Sequence, residues 1–265
     1  MRSRIFLSLD YIVQYDLDVQ HPASYIQDIN QQIEAMVESP RVDYCTWIDA
    51  LHMAMPQFAQ LGVINEAPAY FKKMYSIYNH TKRAEGGPGL WNPQNGFWYR
   101  DKRFIGQNVF WSRGNGWVMA AMVKVLQALP FMDPHRAEYV STIQAMAPSL
   151  ASAQQPDGFW YVNLGNSSNY PGPETSGTSF FVYGLAWAIN NGILDVDNYG
   201  PFIAKAWNAM VKVAVMPNGF LGYVQGIGAG PSEGQPVTAQ STHDYGVGAF
   251  LLAGSELLKL CDYQL

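Results

Sequence analysis

Four short segments of the chain carry side chains able to do chemistry. The first is TWIDALHMAMPQF, Thr46 to Phe58, where Asp49 stands among Trp47, Ile48, Met53 and Met55. Apolar surroundings disfavour the charged form of a carboxyl and raise its pKa. A carboxyl that keeps its proton near neutral pH is a general acid. His52 follows one helical turn later, on the same face. A helix cap, or a partner for an arginine, is the plainer role for Asp49. The second segment is FWSRGNGW, Phe110 to Trp117. Arg113 sits between Trp111 and Trp117, and Gly114 and Gly116 allow close backbone approach. Arginine clamps a carboxylate with two parallel hydrogen bonds, and indole faces stack on flat rings. An arginine packed on a tryptophan at a helix start fits equally well.

The third segment is PGPETSGTSFF, Pro171 to Phe181, where Glu174 precedes a helix start. A carboxylate there is favoured by the helix dipole, so capping alone accounts for it. The fourth is QSTHDYGVGAF, Gln240 to Phe250, with His243 and Asp244 adjacent. No P-loop, GxGxxG unit or HExxH occurs in the chain. Cys45 and Cys261 are the only two cysteines, without a CxxC pair or a histidine cluster. Neither a disulfide framework nor a metal site is expected, and no cofactor is implied.

Composition narrows the classes. Of 265 residues 48% are hydrophobic and 14% aromatic, a composition that folds. Charged residues reach only 14%, against a usual ~25%. The net charge of −5 gives no basic footprint for nucleic acid. No apolar run of ~18 residues is present, so no membrane-spanning helix is expected. The amino terminus, MRSRIFLSLDYIVQYDLDV, is interrupted by Asp10, Asp16 and Asp18 and does not read as a signal peptide.

These segments must be held by a repeated frame. Three turns look alike: NGFWYR at Asn95, DGFWYVN at Asp157 and NGFLGYVQ at Asn218. Their glycines, Gly96, Gly158 and Gly219, stand 62 and 61 residues apart. Asn-Gly and Asp-Gly favour tight turns because both residues tolerate positive φ. Helical periodicity fills the intervals: Ser24–Glu38, Thr46–Gln60, Ala67–Arg83, Trp111–Leu129, Asp133–Gln154, Thr175–Asn190, Asp197–Val215 and His243–Cys261. A unit of two helices and a long aromatic loop predicts an all-α fold, an α/α toroid with its long loops at one rim. No linker-like tract divides it, so residues 1–265 read as one domain. Six such units would exceed the chain by about a hundred residues. The ring is therefore expected to lack its first one or two hairpins, leaving Ile5–Val13 poorly covered.

The strings WIDALHMAMPQFAQLG, FWSRGNGW and PETSGT, in that order, resemble the unsaturated glucuronyl and rhamnogalacturonyl hydrolases, glycoside hydrolase families eighty-eight and one hundred and five. The resemblance runs from about Tyr11 to the end. It implies an (α/α)6 barrel that removes a 4,5-unsaturated uronic acid from oligosaccharides by hydrating the C4–C5 double bond. It implies Asp49 as the catalytic acid and base, with Arg113 and Trp117 holding substrate. Trp47, His52, Trp111, Arg100 and Glu174 are the further candidates for substrate binding. The expected partner is an oligosaccharide, with no metal, nucleic acid or membrane. The chain departs from the family in having SRIFLS where a further acidic motif stands upstream, and it carries Arg100 where some members carry histidine. A sugar-binding remnant without turnover, or another (α/α)6 enzyme such as an epimerase, are the alternatives.

Overall fold

The computed structural model describes residues 22–261. Its eight helices are α1 (Pro22–Glu38), α2 (Asp49–Ile64), α3 (Pro68–Arg83), α4 (Ser112–Ala128), α5 (Arg136–Ala153), α6 (Thr175–Asn190), α7 (Val196–Ala209) and α8 (Asp244–Cys261). The expectation for Ile5–Val13 falls outside the described residues. Two strands, β1 (Trp91–Asn92) and β2 (Phe97–Trp98), form one antiparallel pair around the first repeated turn.

The helices stand in two layers. In the inner layer α2 packs on α4, α4 on α6 and α6 on α8. In the outer layer α3, α5 and α7 each pair with the inner helix that precedes them, and α1 lies on α3. Composition explains the sorting. The inner helix α6 is buried without interruption from Thr175 to Ala188, because TSGTSFFVYGLAWA offers no charged face. The outer helix α5 buries only a stripe: Tyr139, Thr142, Ile143, Met146, Ala147 and Leu150. That spacing is one amphipathic face, with the other left to water. Glycine permits the close inner packing. A Cβ at Gly116 would stand 2.9 Å from the Cβ of Phe180, and one at Gly184 would stand 2.1 Å from Met119 Cγ.

The three repeated turns have the geometry that their sequence requires. Gly96, Gly158 and Gly219 take φ of 67°, 95° and 84°. Four residues past each glycine a carbonyl accepts a backbone hydrogen bond from the start of an inner helix. Ile48 donates to Arg100 at 3.0 Å, Ser112 to Val162 at 2.9 Å and Thr175 to Tyr223 at 2.8 Å. The repeat seen in sequence is thus a repeat of hydrogen bonds. It gathers the aromatic loops at the rim where inner helices begin.

Several boundaries differ from the sequence reading, among them both ends of α2, which runs Asp49–Ile64 and not Thr46–Gln60. Helix α5 starts at Arg136, not at Asp133, because the Asp133 side chain accepts the His135 N–H at 2.8 Å in a turn ahead of the helix. The helix expected to run to Val215 changes to a π-turn over Met210–Ala214, closed by the Val215–Leu221 bridge. Among the described residues no helix is long and apolar enough to cross a membrane.

Candidate functional site at the rim of the inner helices

Asp49 opens α2 and is 7% exposed. The Ile48–Arg100 hydrogen bond and an antiparallel bridge between Trp47 and Asp101 draw the loop after β2 across this helix start. Arg100 is thereby set against Asp49, with Nε 3.6 Å from Oδ2. The distance suits an ion pair but exceeds a good hydrogen bond. Both atoms are buried and neither has a hydrogen-bond partner. Burial pushes the Asp49 carboxyl above its usual range, and the opposing pull of Arg100 and then Arg113 does not cancel it. A proton donor results, as the apolar stretch around Asp49 implied.

Arg100 is itself held from behind. Its Nη1 donates to Asp101 Oδ2 at 2.8 Å, and its guanidinium lies 5.7 Å from the Trp47 ring centre. Arg103 donates to the same carboxylate through Nε at 2.9 Å and Nη2 at 2.8 Å. Burial alone would raise Asp101, but the bonds from Arg103 and Arg100 override it and hold the carboxyl down to about 2. Arg103 also reaches Ala229 O at 2.9 Å, joining this loop to the one that follows Gln225.

Arg113 is buried on the first turn of α4. It donates to the carbonyls of Gln225 and Gly226 and to the Tyr245 hydroxyl. Its guanidinium lies 4.5 Å from the Trp111 ring centre and 4.9 Å from that of Tyr245. The clamp expected of Arg113 is thus largely taken up by the protein: two of its three donor contacts fix the loop at Gln225, and the third goes to Tyr245 on α8. Its positive charge still reaches Asp49. Trp111 departs further from the sequence reading. It is 1% exposed, covered by Arg113, and its Nε1 donates to Gln225 Oε1 at 2.8 Å. It packs, and offers no face to a ligand.

Trp117, one turn into α4, is half-buried, its ring centre 4.5 Å from that of His52 and 4.3 Å from that of Phe180. Tyr245 closes the group from α8 at 6.2 Å, and burial pushes its hydroxyl up to about 12. Burial, with Lys124 adding to it, holds the His52 imidazole well below its usual range. His52 is therefore neutral, and its Nε2 is buried without a hydrogen-bond partner.

Glu174 requires a correction as a substrate-binding candidate. It is fully buried, and its carboxylate accepts from Ser176 N at 3.0 Å, Ser176 Oγ at 2.6 Å, Gly177 N at 2.7 Å and Gln225 N at 3.2 Å. It caps α6 and pins the Gln225 loop, with no capacity left for a ligand. Asp244 is exposed at the start of α8, and His243 stacks on Tyr245 at 5.3 Å.

Asp49, Arg100 and Trp47 are brought together directly. Arg113 approaches from the next inner helix, with His52 and Trp117 deeper in. Beside them a cavity of about 430 Å3 is lined by Trp47, Arg100 and the segments carrying Asp43, Glu85 and Lys102. Sequence reasoning missed Gln225 and Tyr245, which hold Arg113 from more than a hundred residues away. It also missed Asp101, which holds Arg100 from behind.

The profile of Glycosyl Hydrolase Family 88 matches residues 9–261. An unsaturated 3S-rhamnoglycuronyl hydrolase of Formosa agariphila is 35% identical over 226 residues, covering 81% of this chain and 58% of that protein. The chain spans about half the length of the curated relatives it matches. The solved structure of a glycosyl hydrolase family 88 protein from Bacteroides vulgatus superposes with a TM-score of 0.83 at 36% identity, over 98% of this chain and 75% of that one. A solved structure described as a polysaccharide lyase gives a TM-score of 0.84 at 37% identity, over 97% of this chain and 73% of that one.

Proposed function

The chain belongs to glycosyl hydrolase family 88, and we propose that it removes a 4,5-unsaturated uronic acid from the non-reducing end of oligosaccharides by hydrating the C4–C5 double bond. The observation that carries this reading is the Asp49 carboxyl: buried, raised in pKa, and without a hydrogen bond on Oδ2. Protonated Asp49 delivers its proton to C4 of the vinyl ether. Water adds at C5 and returns a proton to the Asp49 carboxylate. The C5–ring-oxygen bond of the resulting hemiketal breaks, leaving a hemiacetal at C1 that expels the aglycone as an alcohol. One carboxyl serves as acid and then base, so the two carboxylates of ordinary glycoside hydrolysis are not required.

The other residues take their roles from their free atoms. Arg100 holds its buried Nε against Asp49, and its charge beside the proton donor supports the reading that it meets the substrate carboxylate. Arg113 contributes charge and fixes the Gln225 loop. Trp117 and Trp47 offer partly exposed rings to the sugar faces.

The test follows the ultraviolet absorbance of the double bond in an unsaturated disaccharide. Hydration destroys it. The expected result is loss of absorbance with the wild-type chain and a 10²–10⁴-fold slower loss with Asp49→Asn. A lyase would instead create absorbance from an intact polysaccharide, and that result would overturn the reading.

A further inference from the structure

Gln225 is fully buried, and every polar atom it has is bonded inside the protein. Its N–H donates to Glu174 Oε1 at 3.2 Å. Its side-chain Oε1 accepts from Trp111 Nε1 at 2.8 Å, and its Nε2 donates to the carbonyls of Pro231 at 3.0 Å and Glu233 at 2.6 Å. Its own carbonyl accepts from Arg113 Nη1 and from the Tyr245 hydroxyl. The next carbonyl, that of Gly226, accepts from Arg113 Nη2 at 2.8 Å. Two residues upstream, Tyr223 holds a φ of 58°, a left-handed conformation that costs a tyrosine free energy. The residues at the same place after the other two turns, Arg100 and Val162, do not adopt it. The third turn is thus strained where it brings two carbonyls onto Arg113.

The charged and titratable groups around Asp49 come from every neighbouring element. The loop after β2 brings Arg100, tied to Asp101 behind it. Helix α4 brings Arg113, and also Lys124, whose charge reaches His52. His52, on the helix of Asp49 itself, is neutral. Helix α6 brings Glu174, taken up by its cap. Helix α8 brings Tyr245, whose hydroxyl stays protonated at neutral pH; His243 stacks on it, and Asp244 stands exposed at the helix start. Arg113 differs from Arg100 in having no carboxylate partner among the described residues: its hydrogen bonds go to neutral oxygens. Hydrogen bonds from a guanidinium to a carboxylate are the stronger kind. Asp49 offers a buried Oδ2 without a hydrogen-bond partner, and its ion pair to Arg100 is a long one. An untethered Arg113 would close on that oxygen and hold Asp49 ionised. We propose that Gln225 is a positioning residue for the proton donor: its own carbonyl and that of Gly226 hold Arg113 back from Asp49, and its side chain fixes the loop that carries both. The proposal rests on the reading that Asp49 supplies the proton.

The experiment follows the Asp49 carboxyl by carboxyl-carbon NMR of the 265-residue chain labelled at aspartate, with Asp49→Asn identifying the signal. Gln225→Ala, Arg113→Gln and the two combined are compared with wild type. Gln225→Ala is expected to lower the Asp49 titration midpoint by about one pH unit. Adding Arg113→Gln is expected to return it to the wild-type value or above. A site that merely loosens and admits water would instead lower the midpoint with or without Arg113. If Gln225→Ala does not fold, Tyr245→Phe takes its place. That change removes the hydroxyl bonded to both Arg113 and the Gln225 carbonyl but keeps the ring. Its fall should be smaller, and Arg113→Gln should again abolish it. A midpoint that stays at the wild-type value, or one that falls with Arg113 absent, overturns the proposal. Turnover of an unsaturated disaccharide is scored separately. The alkaline limb of kcat/KM should move down with the midpoint, about a tenfold loss at any pH on that limb. If Asp49 titrates as expected but the wild type leaves the absorbance unchanged, the hydrolase reading fails and the tether stands. If absorbance is lost and the limb does not move, the tether fails and the hydrolase reading stands.

Discussion

Glu174 is the residue whose replacement separates scaffold from chemistry most cleanly. Glu174→Ala removes the carboxylate that accepts three backbone N–H groups, those of Ser176, Gly177 and Gln225, together with the Ser176 hydroxyl. The site is fully buried. The hydroxyl can rotate to another acceptor, but the three N–H groups cannot move without unwinding α6 or releasing the Gln225 loop. A buried donor left unpaired costs ~1–3 kcal/mol, and water entering the vacated space restores part of it. The net loss works out at about 3–5 kcal/mol, a large share of a typical domain's stability. For a chain of this size each kcal/mol lowers the melting temperature by ~2–4 °C. The expected fall is about 6–20 °C by calorimetry. Ser176→Ala, which removes one donor and strands nothing, should cost about 1 kcal/mol or less. A Glu174→Ala protein that melts within ~2 °C of wild type would refute the capping argument and return Glu174 to the list of groups free for chemistry.

Asp49→Asn should gain stability relative to wild type as pH rises. A carboxyl whose folded pKa lies above its unfolded value binds more protons when folded, so wild-type stability falls from the ordinary carboxyl range up through the raised pKa. Urea midpoints at several pH values check this, and a difference independent of pH would contradict it. Asp101→Asn should behave in the opposite sense. With its pKa lowered to about 2, Asp101 stabilises the fold at neutral pH by on the order of 1–2 kcal/mol at a partly screened rim. That contribution disappears as pH falls from about 4 toward about 2. Acid-range denaturation of the two proteins should converge. Gly158→Ala should cost about 1–3 kcal/mol, because φ is 95° and a Cβ would lie 2.8 Å from both Ala209 Cβ and Lys205 O. Gly219→Ala should cost less, since nothing lies within 4 Å of its Cβ position; equal losses would show that strain, not contact with α7, decides the turn.

The frame was legible because its signals are local. Asn-Gly and Asp-Gly turns at a 61–62 residue period mark positions where only positive φ works, and all three glycines adopt it. The uncharged run of α6 and the stripe of α5 likewise show which helix lies inside. The burial of Asp49 was readable because it stands in an apolar stretch at the start of an inner helix. Arg113 was not. Its partners Gln225, Gly226 and Tyr245 lie 112, 113 and 132 positions away, and no spacing rule reports that they consume its donors. Trp111 was misjudged with it, because the face that looked available is covered by that same guanidinium. Glu174 offered both readings in sequence, and only the arrival of the Gln225 N–H shows the cap to be fully occupied.

The charges around Asp49 also set how its proton responds to substrate. Two arginines pull the carboxyl toward ionisation, yet burial keeps its pKa raised. Arg100 pulls harder than Arg113, and it is also ion-paired to Asp101 behind it. A substrate carboxylate arriving at the free side of Arg100 brings a second negative charge close to Asp49. Like charge nearby favours the neutral carboxyl, and the sugar ring displaces water, which acts in the same direction. Substrate binding should therefore raise the pKa of the proton donor. The acid-form requirement then extends to higher pH in the complex than in the free chain. The pH profile of kcat reports the complex and that of kcat/KM the free protein, so the alkaline limb of kcat should lie above that of kcat/KM. Arg100→Ala removes the group that both opposes the proton and receives the anion, so the two limbs should move together. Limbs that coincide in the wild-type chain would show that the substrate carboxylate binds elsewhere, with Arg113 the next candidate to receive it.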